Sequence, residues 1–347
     1  VSVRSNLEKI LKNTIDIADI KDIIVENTNL ENVMYNLCCI SEELKNDGYS
    51  FQSMTWKRFN ELCSSFGYRH ALKCLGERCL NNIIVTGKII NHCATYNWGY
   101  RVSSSLFPLV THPDFAYSIS EFPQYLEIVK AFNNIAKQNR NTNGSQIVRL
   151  STHPDQFNVL ASENADSVEK TIRELNHHGW IMDMLECERS YQNPINIHVN
   201  CTKGNVADIA SRFMENLSRC DESVTSRLVV ENEDKGCWTV KNLLDNFNIP
   251  VTYDNLHHKC NPSYFDADEK VVMFLCSDTW GNYRPVFHYS ESHPNKPNPR
   301  SHADMPTNCP PAFDADFDIE LKFKDIAIRA VSAIELTQLS QELNMGY

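Results

Sequence analysis

Between Arg227 and His258 the chain reads RLVVENEDKGCWTVKNLLDNFNIPVTYDNLHH. Two short apolar runs, 228–230 and 249–253, each stop at a carboxylate, Glu231 and Asp254. The intervening stretch 238–247 carries apolar residues at helical spacing, so the unit reads strand, helix, strand. Buried parallel strands are near-continuous apolar runs, and α/β folds place their chemistry where such strands end. Carboxylates there, with His257 and His258 just beyond, are donors suited to a divalent metal ion.

The same cadence runs through the rest of the chain. Strand-like runs fall at 33–38, 96–103, 147–152, 195–199, 285–288 and 317–321. Helical periodicity separates most of them, at 75–93, 122–136, 166–185, 206–217, 271–280 and 326–343. Within 40–75, only Trp56, Phe59 and Leu62 keep helical spacing. Eight strands alternating with helices predict a single (β/α)8 TIM barrel over 32–347, preceded by a helical extension over 1–31. A doubly wound open sheet is the second choice, but no GxGxxG turn follows an early strand.

Bulk properties narrow the function. A net charge of −11 disfavours indiscriminate nucleic-acid binding through a broad basic face, while leaving room for a groove made cationic by bound metal. Thirteen cysteines, an odd number without zinc-finger spacing, read as reduced thiols of an intracellular, soluble protein. No run reaches the roughly 18 apolar residues of a membrane span, and VSVRSNLEKILKNT lacks the apolar core of a secretory signal.

On the barrel frame, metal-competent side chains recur at the strand ends. His112 follows strand two, His153 strand three, and His198 lies near the end of strand four. Glu231, Asp254 with His257, and His288 mark strands five to seven. His302 lies in the next loop and Glu320 near the end of strand eight. Any one of them has a plainer reading: a hydrogen-bonded loop histidine, or Glu320 paired with Lys322 or Lys324. Their repeated placement at converging ends favours a metal site. His178 differs, because it shares a helix face with Leu175 and Met182 and reads as a core histidine. Trp98, Trp180 and Trp238 read as packing residues.

The motifs SSSLFPLVTHP, RLSTHPDQFNVL, NIHVN, RLVVENEDK, TYDNLHH, RPVFHYSESHP with RSHADM, and DIELKFKD resemble, in order, those of UV damage endonucleases, over about residues 32–335. That family is similar to endonuclease IV: a TIM barrel holding divalent metals, usually manganese, that nicks DNA immediately 5′ to UV photoproducts, and often abasic sites, leaving a 3′-hydroxyl. The resemblance implies up to three ions and no nucleotide cofactor. His153, His198 and Glu231 would hold one; Glu231, as a bridge, Asp254, His288 and Glu320 a second; His257 and His302 a third. His112 would be a nearby ligand or support, and with Glu231 and Glu320 it completes the expected catalytic group. Gln156 and Phe157, with Asn36, occupy lesion-probing positions. The implied partner is damaged double-stranded DNA, with no membrane and no obligate protein partner.

The sequence departs from the family pattern at three places. Val286 stands where the family usually has a lysine, often carboxylated, two residues before the strand-seven histidine. Asn200–Cys201 replaces a glycine pair, and Asn32 stands where an aromatic precedes Asn36 by four residues. The alternatives are an abasic-site endonuclease of broader range, a damage-binding barrel without catalysis, and, more remotely, a sugar isomerase.

Overall fold

The computed structural model describes residues 33–115, 117–264 and 267–345, with side chains to 338. The extension expected over 1–31 lies outside the described residues. Eight strands form one sheet: β1 (Met34–Cys38), β2 (Gly99–Val102), β3 (Leu150–Thr152), β4 (Ile195–Ile197), β5 (Leu228–Glu231), β6 (Val251–Thr252), β7 (Val286–Tyr289) and β8 (Asp316–Ile319). Their order is β6-β5-β4-β3-β2-β1-β8-β7. The two ends of that order meet: the His288 amide donates to the Tyr253 carbonyl at 2.8 Å, and Asp254 pairs with His288 in a parallel bridge. The ring is a (β/α)8 barrel, and its last seam is closed at two of the expected metal ligands.

Eleven α-helices accompany the strands among the described residues. They are α1 (Glu42–Asn46), α2 (Trp56–Phe66), α3 (Tyr68–Tyr96), α4 (Tyr125–Gln138), α5 (Ala165–Met184), α6 (Val206–Leu217), α7 (Glu222–Thr225), α8 (Val240–Asn246), α9 (Asn255–Cys260), α10 (Glu269–Asp278) and α11 (Lys324–Met345). The described residues fall into two compact units. One contains residues 37–197 and 212–227, the other 33–36, 198–211 and 228–345.

In the first unit, α3 buries a stripe through Leu72, Leu75, Cys79, Ile83, Ile90 and Cys93. Gly76 permits a close approach, because a Cβ there would lie 2.4 Å from Gln124 Oε1 and 3.1 Å from Phe122. The expected helix start at 75 and strand two at 96–103 both need correction. Apolar spacing through Ala71 and Leu72 carries α3 back to Tyr68, and its other end reaches Tyr96. Asn97 then caps it at φ 56°, a left-handed conformation asparagine tolerates. The aromatic residues of YNWGY have strand propensity, but the cap delays β2 to Gly99. His178 is buried, with Nδ1 3.0 Å from Thr152 Oγ1, as its helix face predicts.

In the second unit, Trp238, Trp280, Phe287 and Phe317 are fully buried. Both indoles satisfy their N–H: Trp238 on the Cys201 carbonyl at 2.6 Å, Trp280 on that of Val251 at 3.0 Å. Core packing is the role of these tryptophans. None of the 13 cysteines, all among the described residues, forms a disulfide.

Candidate metal centre

Strands β5 to β8 deliver their terminal side chains to one place. Glu231 ends β5 and is buried, with Oε1 3.1 Å from His257 Nδ1 and Oε2 3.2 Å from His288 Nδ1. His198, following β4, brings Nε2 to 3.7 Å from Glu231 Oε2. His288 Nδ1 also faces Glu320 Oε1 at 3.4 Å and Asp254 Oδ2 at 4.0 Å. Donor atoms of Glu231, Asp254 and His257 lie within 4.8 Å of one another, as do those of Asp254, His288 and Glu320. Glu231 is thus central, and Asp254 belongs to both groups.

Local sequence explains the placement of His257. Asp254 is the N-cap of α9, and its Oδ1 accepts the His257 amide at 2.6 Å. One carboxylate therefore starts the helix and fixes the histidine three residues on. Asn232 clamps the same corner: its Oδ1 accepts the Asp254 amide at 2.8 Å and its Nδ2 donates to the Asp254 carbonyl at 3.0 Å.

The donor set suits divalent cations. Three carboxylates, Glu231, Asp254 and Glu320, share a largely buried space, and such charges repel unless a cation or protons compensate them. Asp254 Oδ2 is buried and accepts no hydrogen bond. Burial pushes the Asp254 carboxyl up, opposed by His257 and reinforced by Glu231 and Glu320. The histidines are oriented like ligands. A carbonyl only accepts, so His257 Nδ1 donates to Asn232 O at 2.9 Å and His302 Nδ1 to Glu320 O at 2.8 Å, freeing each Nε2 lone pair. In the other unit, His153 Nδ1 makes the same kind of bond to Pro154 O at 2.9 Å.

Not every expected site residue joins a ligand group among the described residues. The sequence reading paired His257 with His302, whereas the structure groups His257 with Glu231 and Asp254, and His302 joins none of the ligand groups among the described residues. His112 also joins none; its ring packs on Trp56 at 4.9 Å and Nδ1 accepts the Asp114 amide at 3.2 Å. Gln156 and Phe157 are exposed on the loop after β3, Phe157 by 75%. Asn36 is 2% exposed, and its Nδ2 donates to Asp318 Oδ1 at 2.8 Å. Asp234 pairs with Arg300 at 3.1 Å.

Two acids near the cluster went unnoticed in the sequence. Asp318 is buried and faces His288 Nε2 at 3.5 Å. Its signal was the alternation in DFDIEL, which puts Asp316, Asp318 and Glu320 on one face of β8. Glu233 accepts the Asn200 amide at 2.7 Å, and burial, reinforced by Glu231, lifts its carboxyl to about 7. Asn200 itself adopts φ 52°, so the residue replacing a family glycine keeps a glycine-like conformation. Val286 is buried and pairs in register with Asp316; no carboxylated lysine can form there.

Fold and site together define a (β/α)8 barrel with a carboxylate–histidine cluster at the C-terminal strand ends. The family model described as UV-endonuclease UvdE matches residues 33–345, and the chain belongs to that family of endodeoxyribonucleases. A UV DNA damage endonuclease of Bacillus pumilus is 28% identical over 293 residues, covering 80% of this chain and 86% of that protein. One from a Nostoc species is 28% identical over 301 residues, covering 84% and 87%. The UV-damage endonuclease of Neurospora crassa is 30% identical over 249 residues, 66% of this chain but 36% of that longer protein. The crystal structure of SacUVDE superposes with a TM-score of 0.70 at 24% identity, covering 88% of this chain and 99% of that one. No helix among the described residues is long and apolar enough to cross a membrane.

Proposed function

We propose that this chain is a metal-dependent DNA repair endonuclease that nicks the backbone immediately 5′ to UV photoproducts, and at abasic sites, leaving a 3′-hydroxyl. The observation that carries the reading is the buried convergence of Glu231, Asp254, His257, His288 and Glu320 at the strand ends. Glu231, His198 and, by its family motif, His153 would hold one ion. Glu231, Asp254, His288 and Glu320 would hold a second. His257, beside the shared carboxylates, and His302 would hold a third. Manganese is the ion we assign.

Ions held there would supply Lewis acidity, lowering the pKa of a water and neutralising charge that develops on the phosphate. The protein's own contribution is orientation. Glu231, Asp254 and His288 are held by buried partners, so little reorganisation accompanies the reaction. Glu320, at 14% the least buried of the three carboxylates, would take the proton from the attacking water. Gln156 and Phe157 can wedge into the duplex, at a cost of a few kcal/mol of unstacking that is smaller where damage has already weakened the stack. Lesions are thereby selected without base-edge reading.

The test is a Mn²⁺-loaded reaction on end-labelled duplexes carrying one pyrimidine dimer, one abasic site or no lesion. Nicks mapping immediately 5′ to the dimer, abolished by chelation, support the reading. A metal-loaded, folded protein that leaves the dimer duplex intact overturns it; cleavage of the abasic duplex alone makes it an abasic-site endonuclease.

A further inference from the structure

The imidazole of His288 is gripped on both sides. Its Nδ1 faces Glu231, Glu320 and Asp254, while Nε2 faces Asp318 Oδ2 at 3.5 Å. The other oxygen of Asp318 accepts the Asn36 amide at 2.8 Å. His288, Asp318 and Asn36 are all at most 2% exposed, and β7 and β8 pair His288 directly with Asp318. The backbone of His288 is fixed too, by its bond to Tyr253.

We propose that Asp318, held by Asn36, is a positioning residue that keeps the proton of His288 on Nε2 and so presents Nδ1 to the metal. The inference rests on the metal-centre reading. His257 and His302 differ in that each has a backbone carbonyl as the partner of Nδ1. Nδ1 of His288 points at the carboxylates and its Nε2 points at Asp318, so the group that orients this ring acts on Nε2–H. In His288 that group is a side-chain carboxylate. Packing alone does not call for this arrangement, because apolar residues of similar volume commonly replace buried ionic groups at no loss of stability. Asn36 thereby has a role inside the barrel rather than in the DNA stack.

Asp318→Asn discriminates. Asn has one acceptor oxygen, which the Asn36 amide claims. Its own NH₂ then faces Nε2 and favours the tautomer protonated on Nδ1, which cannot ligate. Mn²⁺ affinity, read from the signal of free Mn²⁺ by electron paramagnetic resonance, is expected to fall roughly 10- to 100-fold. The melting temperature of metal-free protein is expected to stay level or rise. Asn36→Ala should weaken Mn²⁺ binding less, and the double variant should be no worse than Asp318→Asn, since Asn36 acts through Asp318. In Zn²⁺-loaded protein, ¹H–¹⁵N correlation should show the His288 proton on Nε2, and Asp318→Asn should remove it. Wild-type affinity in Asp318→Asn, or additive losses that follow the metal-free melting temperature, would overturn the inference alone. A wild-type protein that binds no divalent ion would overturn the metal reading and this inference with it.

Discussion

Metal binding to this protein should release protons, and the structure sets how many. Burial alone would lower the pKa of His257, but Asp254, Glu231 and Glu320 outweigh it and lift it to about 11. Burial likewise opposes the charge on His288, and Glu231, Glu320 and Asp318 lift it to about 9. In metal-free protein at neutral pH both rings carry an extra proton, which compensates the buried carboxylates. A histidine ligates only as the neutral ring, so filling both sites displaces two protons, one per ion. Log Kd for each Mn²⁺ should therefore fall with a slope near 1 per pH unit, up to about pH 9 for the ion on His288 and about pH 11 for the ion on His257. One decade per unit corresponds to about 1.4 kcal/mol. The sign is consistent with stability. Folded pKa values raised above about 6.5 stabilise the metal-free protein fully below that pH. The stabilisation is lost as pH rises through about 9 and then 11. Titration calorimetry in buffers of different ionisation enthalpy counts the protons directly. Zero net release at pH 7, with a pH-independent Kd, would refute the argument.

Two further outcomes follow from burial and exposure. Phe157→Ala removes an exposed ring, so the unfolding free energy should change by no more than about 0.5 kcal/mol, while preference for dimer over undamaged duplex falls several-fold. Equal lesion preference would remove the wedge. His178 is neutral in the fold, its pKa lowered to about 3 by burial, with smaller contributions from His177 and His153. Because the unfolded chain binds that proton from about pH 6.5 downward, the stability present above 6.5 should drain away as pH falls toward 3, by at most about 1.4 kcal/mol per pH unit. His178→Gln should flatten that part of a urea-unfolding pH series; an unchanged slope would contradict the assignment.

How much of this was legible beforehand depends on whether a signal was local. All eight strands were visible in the sequence, β5 as a continuous apolar run of the kind that strands buried on both faces leave, and β8 as an alternating one. Helix and strand ends were not, since they turn on caps: Asn97 in the left-handed region moved β2, and Asp254 capping α9 turned the expected tail after β6 into a helix. Glu231, Asp254, His288 and Glu320 could be named because each stands where an apolar run ends. The grouping of His257 with Glu231 and Asp254, rather than with His302, needed the helical turn from Asp254. Asn36 was assigned from a motif, and only the pairing with Asp318 showed it turned inward. Asp318 itself was hidden by attention to Glu320 alone, although the alternation of β8 puts both on one face.

The central claim is that the cluster around Glu231 performs DNA cleavage. The most direct measurement compares wild type and Glu231→Gln, each preincubated with Mn²⁺, in single-turnover nicking of a duplex containing one pyrimidine dimer. Glutamine keeps the shape but removes the charge that faces His257, His288 and His198. The account predicts a fall in rate of roughly 10²- to 10³-fold or more with unchanged circular dichroism. Nicking at the wild-type rate by Glu231→Gln would contradict it.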